Sequence, residues 1–241
     1  MALAGPAGAA AELLTGRSSL AWSQRRMYLL DTPALDLLRA GVEVRLRGRA
    51  RGRYDLAVSA RRAGPVDEAD VPPGARIEID VTPGSTWQDI EVRRGVDPGV
   101  AAGVIGGDLP PGRLLCPAQR GWACHGGHEI VDDAGLEGLV VHGPLVVHRV
   151  KSAGEVRVDL EHFRFPGGRE LVELSTRCRP EQATARATEF ERLLDERGIT
   201  VYPRYRAKST FWFADLATRR RIRTAGPTRP AARRSDPAFP G

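Results

Sequence analysis

Apolar and charged side chains alternate along residues 42–49, which is the pattern of a strand with one buried face. Val42, Val44 and Leu46 take one set of alternate positions. The other set is charged and consists of Glu43, Arg45, Arg47 and Arg49. A face of this kind either meets solvent or lines a cavity that holds an anion.

Similar alternation, bounded by Gly and Pro residues, predicts further strands. Together with the first, they cover residues 27–30, 42–49, 54–61, 76–81, 145–151, 155–165 and 169–177. A helical turn is predicted over residues 34–39 and a short helix over 87–94. A long amphipathic helix is predicted over 180–197, with Pro180 near its start and Gly198 at its end. The rest of residues 84–138 is rich in Gly and Pro, which predicts loops.

These elements predict an α+β fold in which about eight strands form an antiparallel β-barrel with flanking helices. Because each strand has a charged face and an apolar face, the interior would be a polar tunnel and the helices would cover the outside. The alternative is a flat sheet with a solvated charged face, since most charged faces simply meet water. The tunnel domain is expected over residues 27–216, after an N-terminal segment of residues 1–26.

The net charge of +6 belongs to the C-terminal part of the 241-residue chain. Residues 217–241 contain seven arginines and a single acidic residue, Asp236, so the remainder is close to neutral. This Arg- and Pro-rich tail is predicted to be disordered. Any contact that it makes with nucleic acid is expected to be weak and nonspecific, through phosphates.

Three cysteines are too few for a disulfide framework and fit a reducing cytoplasm. The N-terminal residues show neither the pattern of a signal peptide nor an apolar stretch long enough to span a membrane. The sequence therefore predicts a cytoplasmic protein with no membrane partner, and it indicates no particular oligomeric state.

The segment from Tyr28 to Arg47, YLLDTPALDLLRAGVEVRLR, carries the most specific motif of the chain. An Asp-Thr-Pro turn leads through a Leu-containing helix and a Gly into a strand that ends in Arg-x-Arg. In this order of elements the chain resembles the CYTH superfamily, the triphosphate tunnel metalloenzymes that include inorganic triphosphatases, thiamine triphosphatase and class IV adenylyl cyclases. Later segments are similar to motifs of the same family, namely Arg76-x-Glu78-x-Asp80, Arg149-x-Lys151, Asp159, Val172-Glu173-Leu174 and Lys208-Ser209.

The resemblance implies a tunnel in which basic side chains bind phosphate oxygens through charge-assisted hydrogen bonds. The basic residues at the matching positions are Arg45, Arg47, Arg149, Lys151 and Lys208. It also implies that carboxylates hold Mg²⁺ or Mn²⁺, which prefer oxygen ligands. The acidic residues at the matching positions are Glu78, Asp80, Asp159 and Glu173. No individual catalytic residue is predicted.

The chain departs from the family pattern at its acidic positions. The family's first strand reads Glu-x-Glu-x-Lys, whereas Glu12 is the only acidic residue before Met27 and no lysine occurs there, so this strand is missing or replaced. Ser175 stands where the family has a second glutamate, and Ser59, or Arg61 in a shifted register, stands where it has a lysine. Two hypotheses follow. The protein either binds a triphosphate-containing compound or polyphosphate and hydrolyses it as a metal-dependent phosphohydrolase, or it is a non-catalytic phosphate- or nucleotide-binding regulatory module that has lost the metal site.

Overall fold

The computed structural model describes residues 2–3, 7–15, 22–62, 66–67, 70–82, 85–152, 158–202 and 208–225. Its strands are β1 (Ala2–Leu3), β2 (Ser23–Asp31), β3 (Val42–Gly48), β4 (Tyr54–Arg62), β5 (Arg76–Thr82), β6 (Ser85–Val96), β7 (Val140–Ser152), β8 (Val158–Arg164) and β9 (Glu170–Ser175). Its helices are α1 (Ala7–Thr15), α2 (Asp36–Arg39), α3 (Pro98–Gly106), α4 (Pro117–His125), α5 (Asp133–Glu137), α6 (Ala183–Glu196) and α7 (Lys208–Ala225).

The nine strands in the described residues form one antiparallel sheet in the order β1-β9-β8-β7-β2-β3-β4-β6-β5. The sheet curls, so that Arg177, just after β9, forms an ion pair of 3.4 Å with Glu78 on the distant edge strand β5. We call the side of the sheet that carries Arg45, Glu91 and Glu173 the concave face. The predicted α+β tunnel fold is confirmed, with one strand more than the eight expected.

Most helices pack on the opposite, convex face because the apolar half of each alternating strand points there. Val44, Leu46, Val58 and Ile90 belong to the apolar cluster beneath α2, α3, α4 and α5. A second cluster joins the convex side of β7, β8 and β9 to α1 and α6. Helix burial on this side leaves the charged half of the strands facing inward.

The concave face is charged over only part of its area. Met27, Leu29 and Leu145 lie on it beside Phe163 and Leu171, and α7 covers this apolar part through its aromatic residues, of which Trp212 is buried. The sequence predicted a polar interior throughout. The difference arises because the alternation of apolar and charged residues within one strand does not show that helix α7 packs inside the curled sheet.

Residues 87–94 correct one prediction, because they form part of strand β6 and not a short helix. Ile90 and Val92 alternate there with Asp89, Glu91 and Arg93, and the strand pairs with β4 on one side and β5 on the other. Pairing on both sides stabilises the extended form regardless of local helix propensity. The adjoining region predicted as loops contains α3, α4 and α5, of which α3 begins with an Asp97 cap followed by Pro98.

The two ends of the chain also differ from the prediction. Strand β1 consists of Ala2 and Leu3 and pairs with Glu173 and Val172 of β9, so the strand beside β9 is apolar and supplies no carboxylate. Helix α7 continues to Ala225, which places the start of the predicted disordered tail at residue 217 too early. Residues 226–241 lie outside the described part of the chain. Within that part, no helix has both the length and the apolar character needed to cross a membrane.

The Asp-Thr-Pro turn has a structural role, because Asp31 caps the following helix. Its buried carboxylate accepts hydrogen bonds from the backbone N–H groups of Thr32 (2.7 Å), Leu37 (3.0 Å) and Leu38 (2.9 Å). The N–H groups at the start of a helix otherwise lack partners. Asp31 therefore fixes the path from β2 through α2 into β3, the strand that carries Arg45.

This cap should leave a signature in the pH dependence of stability. Burial raises the pKa of Asp31 from 3.8 to about 6, against the lowering effect of its backbone hydrogen bonds. Between these values the folded protein binds more protons than the unfolded chain, so stability from this group rises as the pH falls. Relative to Asp31→Asn, the wild-type free energy of unfolding should increase by about 1 kcal/mol between pH 7 and pH 5. Urea unfolding at both pH values measures this, and a constant difference would contradict it.

Candidate functional site

A cavity of about 570 Å³ lies over the charged part of the concave face. Strands β3, β4 and β6 form its floor, and β9, the edge strand β5 and helices α6 and α7 form its sides. Its basic lining residues are Arg45, Arg47, Arg61, Arg76, Arg93, Arg177, Arg179, Arg186 and Lys208. Its acidic lining residues are Glu43, Glu78, Asp80, Asp89, Glu91, Glu161 and Glu173.

Arg45 is the most deeply buried basic residue of the cavity, with a side chain only 6% exposed. Its guanidinium forms ion pairs with Glu43 (3.2 Å) and Glu91 (3.4 Å) and donates a hydrogen bond to the Ser59 hydroxyl (2.9 Å). Burial lowers the pKa of Arg45, but Glu43, Asp89 and Glu91 outweigh this effect and leave the pKa raised. The Nε of Arg45 is buried and has no hydrogen-bond partner among the described residues.

One carboxylate, that of Glu91, is shared by three arginines. It lies 3.4 Å from Arg45, 3.4 Å from Arg47 and 2.5 Å from Arg93. These residues meet because β3, β4 and β6 are neighbours and Glu91 is paired across the sheet with Ser59, which is paired in turn with Glu43. Across the described lining of the cavity, nine basic side chains face seven acidic ones.

The pKa of Arg47 is lowered by its burial and by the neighbouring positive charges. Burial and the neighbouring charge of Arg45 lower the pKa of Arg47 to about 9, and the attraction of Glu91 offsets this only in part. The guanidinium therefore remains protonated at neutral pH, in surroundings that disfavour its charge. A bound anion would relieve this cost, because an opposite charge within a few ångströms stabilises the protonated form.

Lys208 enters the cavity from the start of α7. Its ammonium group lies 3.4 Å from the Glu173 carboxylate and 5.7 Å from the centre of the Phe163 ring. Glu173 is the main cause of the raised pKa of Lys208, which outweighs the effects of burial and of Arg45. The structure thus brings together three of the five predicted phosphate-binding residues, Arg45, Arg47 and Lys208.

The other two predicted basic residues lie elsewhere. Arg149 forms an ion pair with Asp159, through its Nε at 3.3 Å and a shorter contact of its terminal nitrogen, and lies 3.7 Å from Glu161. Lys151 is exposed and is the cross-strand neighbour of Asp159. Arg149, Lys151 and Asp159 are not among the described residues that line the cavity. A predicted phosphate ligand and a predicted metal ligand therefore neutralise each other.

The carboxylates predicted as metal ligands do not converge on one point. Glu78 pairs with Arg76 (3.1 Å) and Arg177 (3.4 Å), and Asp80 pairs with Arg61 (2.7 Å). In the described part of the chain, no three Asp, Glu, His or Cys side chains are arranged to hold a metal ion. The residues present therefore do not fit the Mg²⁺ or Mn²⁺ site that the resemblance implies.

Sequence reasoning missed the acidic strand that lies at the centre of the cavity. Asp89, Glu91 and Arg93 fall within the segment predicted as a short helix, although their alternation with Ile90 and Val92 is the period-two signal of a strand. Burial is the main cause of a raised pKa at Asp89, and Arg45 opposes it. Glu43 was placed on the charged face of its strand, but neither Glu43 nor Glu161 was predicted as a site residue, since the pattern of one strand does not show which charges face one another.

Two solved structures share this fold over most of their length. The Hippeastrum protein HpAC1, a candidate adenylyl cyclase described as having a dominant triphosphatase activity, has a TM-score of 0.57 and 18% identity, and the match covers 90% of this chain and 92% of that one. The Bacillus halodurans protein bh2851, a candidate adenylate cyclase, has a TM-score of 0.57 and 13% identity, with 87% and 94% covered. No protein-family model and no curated protein sequence matches the chain. At these identities the similarity establishes the fold, and it confirms the tunnel architecture that the resemblance to the CYTH superfamily implies.

Proposed function

We propose that the cavity binds a triphosphate-containing compound or polyphosphate and that this binding requires no divalent metal. The observation that carries the proposal is the sharing of Glu91 by Arg45, Arg47 and Arg93. Guanidinium groups bind phosphate oxygens in a fixed, often bidentate geometry. A phosphate group beside these three side chains would supply the negative charge that the carboxylates do not.

Titration calorimetry with inorganic triphosphate in the presence of EDTA tests this proposal. Arg47→Ala should weaken binding by about 10- to 100-fold, the usual effect of losing one hydrogen bond to a charged group. Arg49→Ala is the matched control. It removes an arginine from the same segment, but this arginine pairs with Asp55 and is not among the described lining residues. Equal losses in the two variants, or binding that disappears in EDTA, would contradict the proposal.

A second candidate function is hydrolysis of the bound triphosphate. It is supported by the fold shared with HpAC1, whose described activity is that of a triphosphatase, and by the position of Asp89 in the cavity. A carboxylate with a raised pKa beside an arginine cluster is suited to accept a proton from attacking water.

Phosphate release from inorganic triphosphate, thiamine triphosphate and nucleoside triphosphates, with Mg²⁺ or Mn²⁺ added, tests the second function. Asp89→Asn should lower the rate by about 100-fold or more and leave binding in EDTA within about threefold. If the wild-type protein binds triphosphate and releases no phosphate with either metal, the non-catalytic module is the correct description.

A further inference from the structure

We propose that a second cavity, on the convex face of the sheet, binds a small organic monocarboxylate through two arginines and an apolar wall. This cavity has a volume of about 310 Å³ and lies where the end of β6 meets α3 and the short 3₁₀ helix Pro111–Leu114. None of the described residues lines both this cavity and the one on the concave face. The proposal is therefore independent of the proposed function.

Neighbouring residues of β6 point to opposite sides of the sheet, because the side chains of a strand alternate. Arg93 contacts Glu91 on the concave face. Arg94 belongs to the other set, together with Ile90 and Val92 of the convex apolar cluster, and it lines the convex-face cavity. One strand thus supplies an arginine to each cavity.

The guanidinium of Arg94 is held in place by acceptors that carry no charge. Its Nε donates a hydrogen bond to the Oε1 of Gln119 (3.3 Å), and a terminal nitrogen donates to the carbonyl of Leu114. Gln119 is fully buried, and its own amide nitrogen donates to the carbonyls of Leu56 and Val92, both at 3.1 Å. The Arg94 guanidinium therefore has a fixed position before any ligand binds.

The charges that line this cavity do not cancel. Within the described residues, neither Arg94 nor Arg113 forms an ion pair. The Asp97 carboxylate is already engaged by the first turn of α3, where it accepts hydrogen bonds from the backbone N–H groups of Gly99 (2.9 Å) and Val100 (3.0 Å). Two guanidinium groups and one carboxylate leave one net positive charge. A carboxylate matches this charge and the fork geometry of arginine, whereas a phosphate monoester carries close to two negative charges.

The remaining lining residues are apolar and suit a short hydrocarbon body. Val96 and Leu114 are buried, and Leu109 is half-buried. Val100 is 37% exposed, so its side chain retains surface that a ligand would remove from water. The volume lies at the lower end of the range for ligand sites, about 300 to 1,000 Å³, which favours a small molecule.

An NMR titration of backbone amide shifts with hexanoate, at constant pH and ionic strength, tests the proposal. Hexanoate should produce saturable shifts at Gly99, Val100 and Arg113. Along the series from acetate to hexanoate, affinity should rise by about fourfold for each CH₂ group that contacts the apolar wall. Hexanol, which has the same chain without the charge, should bind at least about tenfold more weakly than hexanoate.

Arg113→Gln should weaken hexanoate binding by about tenfold and leave hexanol binding unchanged. Arg113 makes no side-chain hydrogen bond or ion pair within the described residues, so its replacement should not disturb the fold. Arg26→Gln is the matched control, since Arg26 is also exposed but is not among the described residues that line either cavity. Val100→Thr, which keeps the shape of the side chain, should reduce the gain in affinity from acetate to hexanoate.

Several results would overturn this site. They are the absence of saturable shifts with hexanoate, equal affinity for hexanoate and hexanol, and equal losses in Arg113→Gln and Arg26→Gln, which would indicate nonspecific attraction. Displacement of hexanoate by inorganic triphosphate would also overturn it, because the two ligands are assigned to opposite faces of the sheet. If hexanoate binds as expected and inorganic triphosphate does not bind, the proposed function fails and this inference stands.

Discussion

Replacement of Arg45 by methionine should lower the free energy of unfolding by about 3 to 5 kcal/mol, the usual cost of removing one partner of a buried charge pair. Methionine fills a similar volume, so packing changes little. The loss arises because the half-buried Glu43 and the buried Glu91 would lose the guanidinium that lies 3.2 Å and 3.4 Å from them. Urea unfolding at neutral pH measures the change.

Arg93→Met is the matched control for Arg45→Met. Arg93 contacts the same Glu91, at 2.5 Å, but its side chain is 34% exposed. An ion pair of this exposure contributes about 0 to 1 kcal/mol. If the two variants lose equal stability, burial is not the reason for the effect. The double variant Arg45→Met/Glu43→Gln should be more stable than Arg45→Met alone, because it removes the charge of a carboxylate that lies 3.2 Å from the lost guanidinium.

Arg45 and Arg47 are expected to differ in how much each contributes to the stability of the fold. Arg45 is held by two carboxylates and a hydroxyl before any ligand arrives, so it stabilises the fold as well as the site. Arg47 has fewer such contacts and a lowered pKa, caused first by burial. Replacement of Arg47 should therefore change ligand affinity with little effect on stability, whereas replacement of Arg45 should change both. Arg47 is for this reason the better position for the binding test.

The alternating pattern of residues 42–49 sufficed to predict β3 and its arginine face, because the side-chain period of a strand is a local property. The motif from Tyr28 to Arg47 likewise predicted the tunnel fold. The sequence of one strand does not predict its register against the neighbouring strand. The ion pair between Arg149 and Asp159 depends on the pairing of β7 with β8. From the separate strands, Arg149 was predicted to bind phosphate and Asp159 to bind a metal ion.

Two elements were missed for a different reason, because tertiary contacts determine them. Strand β6 pairs on both sides, and those pairings hold an ambiguous segment in the extended form. Helix α7 is fixed by packing of Trp212 on the apolar part of the concave face.

A single added methyl group should disrupt a second contact of helix α7. Asp215 is 1% exposed, and its carboxylate accepts a hydrogen bond of 3.0 Å from the backbone N–H of Gly167, in the turn between β8 and β9. A Cβ at residue 167 would overlap a carboxylate oxygen of Asp215. Gly167→Ala should therefore lower the free energy of unfolding by about 2 to 3 kcal/mol, through overpacking and loss of the hydrogen bond.

The neighbouring Gly168→Ala variant separates this contact from backbone strain. Gly168 has a φ of +86°, but a Cβ added there would meet no atom of the described residues within 4 Å, so alanine should cost only about 1 kcal/mol. Equal losses at the two positions would mean that Asp215 is not the cause. Gly167→Ala should also weaken binding of inorganic triphosphate, because Lys208 and Asp215 lie on one side of α7, seven residues apart, and a displaced helix moves Lys208 away from Glu173. In a Lys208→Ala background this second effect should disappear, whereas a loss of affinity that persists there would place the action of Gly167 elsewhere in the cavity.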